Sequence, residues 1–337
     1  MHTIPISFIN HANAIETIWC LDSTNSHIIL AETIKNYDSG YISIDQIFEA
    51  LGYFAIYHLK ELETIYNFCT QLINKYQITK IMSSIKSHSL RYILKQSGYT
   101  DKSSEQSTMN EHIFAIRQNN LHFAKTWSIQ EIIYVYSFQS IEFAILNDDI
   151  NLFKEFFNNP TPPRAKITMI DSPYYPELSI IDACAYYGAQ KCFFYLLENH
   201  IKLTENSFKC SIIGGNTKII LACESNKIDN SFLDIAINAH HFAVAKWLET
   251  KYKLIFSWVT IMETKNYRFM LYKLRSNCEV LDSQKNTIMT VAERIHDQDV
   301  INYIRSVFLK RREDQDKLDK LINSKVLKSL LAPETMV

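Results

Sequence analysis

Glycine and proline are scarce in this chain, at 6 and 7 of its 337 residues, about 2% each against usual levels of ~7% and ~5%. This scarcity excludes collagen-like and Gly-rich linker sequences, argues against turn-dense all-β folds, and favours helices. The chain also lacks an excess of charge of either sign, with 35 basic and 36 acidic residues and a net charge of −1. Because no overall field attracts a polyanion, we expect neither nucleic acid nor a membrane as a partner.

The cysteine pattern and the lengths of the apolar runs indicate the cellular compartment of the protein. The seven cysteines are odd in number and no two have C-x-x-C spacing, so we expect no disulfide framework and no zinc site. No run approaches the ~18 apolar residues of a membrane span, and the first residues lack the basic start of a secretory signal. We therefore predict a soluble cytoplasmic protein. The length fits two domains or one long repeat array.

The common catalytic motifs are absent too. The sequence has no H-E-x-x-H, G-x-S-x-G, Walker loop or G-x-G-x-x-G. The stretch Ile213–Lys218 (IGGNTK) lacks the upstream glycine of a phosphate loop, and a turn explains it better. His240 and His241 have no Asp or Cys partner at metal-ligand spacing, so we interpret them as surface turn residues. We predict no catalytic residue, no metal site, no cofactor and no enzymatic activity.

What the sequence does contain is a repeat. Each unit opens with Ser or Thr, continues into a short apolar helix with a small residue at one fixed place, and reaches a turn four residues later. A second helix follows, with an apolar stripe at i, i+4 spacing. The small residues are Ala144, Cys184, Ser211, Ala236 and Ala292, with Ile261 in one weaker copy. The turn positions are Asp148, Gly188, Gly215, His240, Lys265 and His296, spaced by 40, 27, 25, 25 and 31 residues.

This pattern resembles the ankyrin repeat. Residues 179–188 (SIIDACAYYG) align with the T-P-L-H-x-A-A-x-x-G run, with Ile180 and Asp182 replacing Pro and His. Residues 139–250 are more specifically similar to a divergent ankyrin family of unknown function that is abundant in trichomonad protists. The resemblance implies an all-α, or nearly all-α, solenoid of ankyrin-like helical hairpins.

The unit length predicts how the hairpins are joined. An ankyrin unit of ~33 residues has a β-turn finger between its helix pairs. Units of 25 to 27 residues keep both helices but leave little room, so we expect stunted fingers. The longest interval contains residues 158–177, which hold five of the seven prolines, and we expect an extended excursion there.

The resemblance also implies a binding surface. In ankyrin repeats the two residues before the turn glycine face solvent and contact partners. Carried over to this chain, the candidate partner-binding residues are Leu146, Asn147, Tyr186, Tyr187, Asn238 and Arg294. Tyr186 and Tyr187 stand out because paired exposed aromatics are typical interface anchors. The alternative is that one of these two tyrosines lies beneath the Pro-rich excursion.

The N-terminal part follows a different pattern. Ser43 and Gln46 form the sequence of a capping box that opens a helix. Residues 27–73 resemble the C-terminal half of a BTB/POZ domain: Tyr37–Gly40 ends a helix, residues 41–44 form a short edge strand, and a helical pair follows up to Cys69. This resemblance implies an adaptor that binds a cullin. The alternative is a helical cap for the repeat array.

These observations predict four regions: a mainly helical N-terminal module at 1–98, a linker with poorly patterned helices at 99–138, ankyrin-like repeats at 139–308 and a charged helical tail at 309–337. The tail either docks as a cap on the last unit or binds a partner. The predicted function is a non-enzymatic protein–protein interaction scaffold. The alternative is a substrate adaptor of a cullin-type ubiquitin ligase.

Overall fold

The computed structural model of the chain describes residues 6–79, 84–99, 133–158, 166–225, 227–274, 281–295 and 300–306. Over these ranges the protein is helical, with two short strands. This confirms the prediction of an all-α fold built from helical hairpins. The tail 309–337, residues 100–132 of the linker and the sixth turn residue, His296, lie outside the described residues.

The described residues of the N-terminal module form five helices. They are α1 (Ile6–Ile18), α2 (Ser26–Asp38), α3 (Ile44–Tyr57), α4 (Leu62–Tyr76) and α5 (His88–Gln96), with a 3-10 turn at Leu59–Glu61. The predicted capping box is confirmed: Ser43 Oγ accepts a hydrogen bond from the Gln46 backbone, and Gln46 Oε1 accepts one from the Ser43 backbone. Residues 41–43 form no strand and α3 begins at Ile44, so the edge strand expected from the BTB/POZ resemblance is not found.

The repeat array is a stack of hairpins, each made of an inner and an outer helix. The inner helices are α6 (Ile141–Leu146), α8 (Ile180–Tyr186), α10 (Ser207–Gly214), α12 (Asn230–Asn238), α14 (Trp258–Glu263) and α16 (Ile288–Ile295). The outer helices are α7 (Ile150–Asn158), α9 (Gln190–Glu198), α11 (Thr217–Cys223), α13 (Phe242–Tyr252) and α15 (Tyr267–Leu274), followed by helical residues 300–306.

Each inner helix packs against the next along the chain, and the small residues explain how. Ala144, Cys184, Ser211, Ala236 and Ala292 are all 0% exposed. A small side chain at this position lets neighbouring helices approach closely. Ser140, Ser179 and Ser257 cap their inner helices by accepting a backbone hydrogen bond. The predicted register of the repeat is therefore confirmed in the described units.

Residues 166–177 are the described C-terminal part of the Pro-rich excursion, and they include extended strands, as expected. Its described part forms an antiparallel hairpin of β1 (Lys166–Thr168) and β2 (Glu177–Ser179), with Lys166 opposite Ser179. Strand β2 leads directly into α8. The hairpin thereby brings residues 169–176 close to the N-terminal module.

A buried carboxylate joins two neighbouring units. Asp182 accepts hydrogen bonds from Ser179 Oγ at 2.6 Å, Thr204 Oγ1 at 2.7 Å and Ser207 Oγ at 2.6 Å. Ser179 belongs to the same unit as Asp182, whereas Thr204 and Ser207 belong to the next. Because a buried carboxylate is costly unless its oxygens are paired, this network stabilises one relative position of α8 and α10.

Candidate functional site

The turns between inner and outer helices form the face on which we predicted partner binding, and we call it the turn face. The five described turn residues, Asp148, Gly188, Gly215, His240 and Lys265, have φ values of 51°, 67°, 68°, 55° and 55°. All five therefore adopt the left-handed backbone that ends a helix. A Cβ at Gly215 would lie 2.5 Å from the His241 ring, so only glycine fits this turn.

At the fourth and fifth turns, the residue after the turn ties its unit to the preceding one. His241 Nε2 donates to the Ile213 carbonyl at 2.9 Å, and Asn266 Nδ2 donates to the Ile237 carbonyl at 2.7 Å. Burial lowers the pKa of His241 below its usual range. His240 is also buried, with a side chain 3% exposed. The prediction that these two histidines are surface residues is wrong, because they fill contacts between units and with the N-terminal module.

The N-terminal module covers the turn face at the fourth unit. The Trp19 indole stacks on the His240 imidazole with ring centroids 3.6 Å apart and an angle of 6° between the rings. Glu16 Oε1 lies 3.4 Å from His240 Nδ1 and accepts a hydrogen bond from the Arg268 backbone at 3.3 Å. His240 Nε2 lies 3.1 Å from the Thr264 carbonyl, which requires the proton on Nε2. One histidine thus joins the module to two units of the array.

Helix α1 extends this contact along the array. Phe8 stacks on Tyr303 with ring centroids 4.1 Å apart and meets the edge of Tyr267 at 5.7 Å. His11 packs edge-on against the same Tyr267 ring at 5.0 Å. Aromatic pairs of this kind stabilise a contact beyond the area that they bury. Helix α1 is therefore part of the array's packing.

A second contact uses the loop of the β-hairpin. Tyr174 Oη lies 3.3 Å from Tyr57 Oη of α3 and accepts a hydrogen bond from Asn238 Nδ2 at 2.8 Å. Asp171 accepts hydrogen bonds at 2.8 Å from the Ser87 hydroxyl and the Ser89 backbone. Module, hairpin and array therefore meet through polar groups that satisfy one another.

His58 lies at the centre of this junction. Its ring stacks on Phe54 at 4.2 Å and lies 6.4 Å from the His241 ring. Burial, together with the nearby His241, Lys60 and His240, lowers the pKa of His58 to about 3. The junction is therefore built around a neutral imidazole.

The six predicted partner-binding residues differ in their exposure to solvent. Leu146 and Tyr186 are buried, at 5% and 4% exposure, which corrects the expectation that they face solvent. Tyr187 and Asn238 are partly buried, and Asn147 and Arg294 are exposed. Leu146 packs in the hydrophobic core.

The positions of Tyr186 and Tyr187 agree with the alternative interpretation, in which the Pro-rich excursion covers one of the two tyrosines. Tyr186 lies against Ser172 and Tyr174 of the excursion. Tyr187 Oη lies 2.7 Å from Tyr136 Oη, and Tyr136 in turn donates to the Thr168 carbonyl at 2.9 Å. The paired aromatics are therefore contacts of the hairpin and not exposed anchors.

Sequence reasoning missed the residues that cover the turn face. Glu16 and Trp19 belong to no pattern that relates them to the array. Tyr174 offered a weak signal, because a Tyr-Tyr pair between two prolines is out of place in an exposed loop. The Glu16–Arg268 contact spans 252 positions of sequence, and periodicity carries no information over such a separation.

Five of the six described cysteines are engaged in packing, whereas Cys20 is exposed. Cys69, Cys184, Cys192, Cys210 and Cys223 are buried, and burial raises the pKa of each thiol. Among the described residues no group of three His, Cys, Asp or Glu side chains is placed to hold a metal ion. In the same ranges, no helix has both the length and the apolar character that crossing a bilayer requires.

A comparison with known families gives one match. The model described as a domain of unknown function (DUF3447) matches residues 199–273, which extend from the linker before α10 into α15. No curated protein and no solved structure matches the chain. The matched family carries neither an ankyrin nor a BTB description, so both resemblances stay predictions.

Proposed function

We propose that this chain is a cytoplasmic, non-enzymatic scaffold for protein–protein interaction that works through the surface of its hairpin array. The observation that carries the proposal is that the turn face already holds a polypeptide, its own N-terminal module, through stacking, charge and hydrogen bonds. Trp19 on His240 and Tyr174 between Tyr57 and Asn238 are contacts of the kind found between proteins. Repeat stacks present such side chains at a regular spacing along an extended surface.

Two of the predicted contact positions stay accessible. Asn147 lies at the turn of the first unit, and Arg294 lies at the end of α16. Both side chains are exposed. The buried thiols, whose raised pKa values disfavour the nucleophilic thiolate, support a role without catalysis.

Site-specific photo-crosslinking tests the proposal. A photoreactive amino acid at Asn147 or Arg294 of the full chain, expressed in its source cells, should give a discrete adduct with the same protein from both positions. Exposed Glu63 and Asn74 of α4 are the matched positions on the N-terminal module. Adducts confined to the α4 positions, or none from the array, would contradict the proposal. The cullin-adaptor alternative stays a prediction, and an adduct of α4 with a cullin would favour it.

A further inference from the structure

The linkers that join one hairpin to the next form a second surface, distinct from the turn face that the N-terminal module covers. Four consecutive linkers each connect an outer helix to the following inner helix, and their described residues are 199–206, 224–225 with 227–229, 253–257 and 281–287. The second, third and fourth linkers are in contact: Asn230 Oδ1, at the start of α12, accepts from the Ile255 backbone at 2.9 Å, and the Phe256 carbonyl accepts from the Ser283 backbone at 2.9 Å. We call this row the linker edge.

Every linker of the row carries one exposed lysine and an aliphatic neighbour. The lysines are Lys202, Lys227, Lys253 and Lys285. The aliphatic side chains beside them include Ile201, Leu203, Ile255 and Leu281, at 43%, 39%, 50% and 53% exposure. Stacked helices lie about 8–10 Å apart, so the lysines form a row about 30 Å long.

These lysines differ from four of the lysines on the outer helices. Lys251 and Lys273 pair with Glu224 and Glu249, and Lys154 and Lys246 lie over aromatic rings. Among the described residues, no ion pair or ring contact engages the side chains of the four linker lysines. Their charges are therefore available to a partner.

The acidic residues of the linkers largely serve the fold. Asp282 is buried and accepts hydrogen bonds from the backbones of Trp258, Gln284 and Asn286. Asp229 caps α12 by accepting from the Ser231 backbone, where the helix dipole offsets part of its charge. Glu224 pairs with Lys251, and Glu205 is the remaining acid of the described linker residues. The outward charge of the linker edge is consequently positive.

We propose that the linker edge binds an acidic, aliphatic-rich segment of a partner protein, laid along the row in an extended form. This inference rests on the proposed scaffold function and specifies its partner. Carboxylates of the segment would meet the lysines, and alternate aliphatic side chains would cover Ile201, Leu203, Ile255 and Leu281. Contiguous exposed apolar surface with a polar rim is typical of interaction sites.

Two other polyanionic partners fit less well. The described linker residues include no Arg, Tyr or Trp, and Phe256 is 3% exposed, so these residues offer no stacking platform for nucleic-acid bases. Exposed Glu198, Glu205 and Glu224 flank the row. A flat anionic membrane would meet these carboxylates, whereas a peptide can pass between them.

A binding titration with the full chain tests the inference. The probe is a fluorescein-labelled peptide of alternating Glu and Leu, about ten residues long, because an extended chain covers ~3.3 Å per residue. Combined substitution Lys202→Glu, Lys227→Glu, Lys253→Glu and Lys285→Glu should weaken binding by about tenfold or more. The matched control changes four exposed lysines of outer helices, Lys154, Lys191, Lys218 and Lys246, to Glu, and should bind the probe as the unmodified chain does.

Several results would overturn the inference: no binding of the probe, an equal loss in both variants, or equal binding of a Glu-Ser peptide of the same length. Preferred binding of oligo-dT or of phosphatidylserine vesicles would instead assign the edge to nucleic acid or to a membrane. Retention of the photo-crosslinked partner by the linker-edge variant would leave the scaffold function standing while removing this surface from it.

Discussion

Acid should weaken the fold of this protein through His58, and the effect is large enough to measure. The residue follows α3, stacks on Phe54 and faces His241 across the junction between the module and the array. Burial lowers its pKa from 6.5 to about 3. In the unfolded chain the same imidazole titrates at its ordinary value, so the two states bind different numbers of protons between these two pKa values.

The sign and the size follow from proton linkage. Between pH 6.5 and 3 the unfolded chain holds a proton on His58 that the folded chain does not, so the free energy of unfolding falls as the pH falls. One pKa unit corresponds to about 1.4 kcal/mol. From pH 7 to pH 5 the contribution of His58 is about 2 kcal/mol. His241, whose pKa is also lowered by burial, contributes with the same sign.

Urea unfolding at the two pH values, followed by circular dichroism, measures this loss. His58→Gln replaces the imidazole by a polar group that does not titrate, and should reduce the loss by about 2 kcal/mol. His27→Gln, at an exposed position of α2, is the matched control and should leave the loss unchanged. If His58→Gln loses as much stability as the unmodified chain, the imidazole is not held neutral at the junction and the reasoning fails.

Three further predictions concern single positions of the array. Ala236→Leu overpacks a site that is 0% exposed and should lower the free energy of unfolding, measured in urea, by about 1–3 kcal/mol. Ala243→Leu, at an exposed position of α13, should change the free energy of unfolding by less than about 0.5 kcal/mol. Equal changes in the two variants would contradict the register of the repeat. Asp182→Ala leaves three hydroxyl donors without their acceptor and should cost about 2 kcal/mol or more, measured in the same way. Burial raises the pKa of Asp234 from 3.8 to about 6, so the folded chain gains stability through this carboxyl group as the pH falls through 6. Asp234→Asn mimics the protonated form and should therefore raise Tm more at pH 7 than at pH 5.

Local pattern was sufficient to predict the hairpins. The small residue, the turn four positions later and the apolar stripe each report a contact within one unit or between adjacent units. The left-handed φ at Asp148, His240 and Lys265 shows that the register holds even where the turn residue is not glycine. The capping box at Ser43 and the extended excursion were predictable for the same reason, because their causes are local.

The state of the turn face was not predictable, because it depends on contacts between distant parts of the chain. The position of Tyr186 in an isolated array predicts an exposed side chain, but the loop of the β-hairpin covers this residue. Ala239 directly precedes the turn residue His240, so the ankyrin resemblance also implies that it faces solvent, but it is 1% exposed. The burial of His240 requires Trp19, more than 200 positions earlier in the chain. No spacing rule within the repeat could indicate that the module would fold back onto it.

The shared packing of module and array decides how the cullin-adaptor hypothesis is tested. Residues 27–73 would form a fragment of about 47 residues, near the size at which a chain rarely stabilises its own core. The fragment lacks α1, which packs on α2 and α3, and it lacks Tyr174, the hydrogen-bonding neighbour of Tyr57. Phe54 would also lose Trp19, which meets it edge-on at 5.7 Å. If such a fragment failed to bind a cullin, the cause could be unfolding of the fragment as readily as the lack of a binding surface. The interaction therefore has to be measured with the full chain, carrying substitutions at exposed positions of α4.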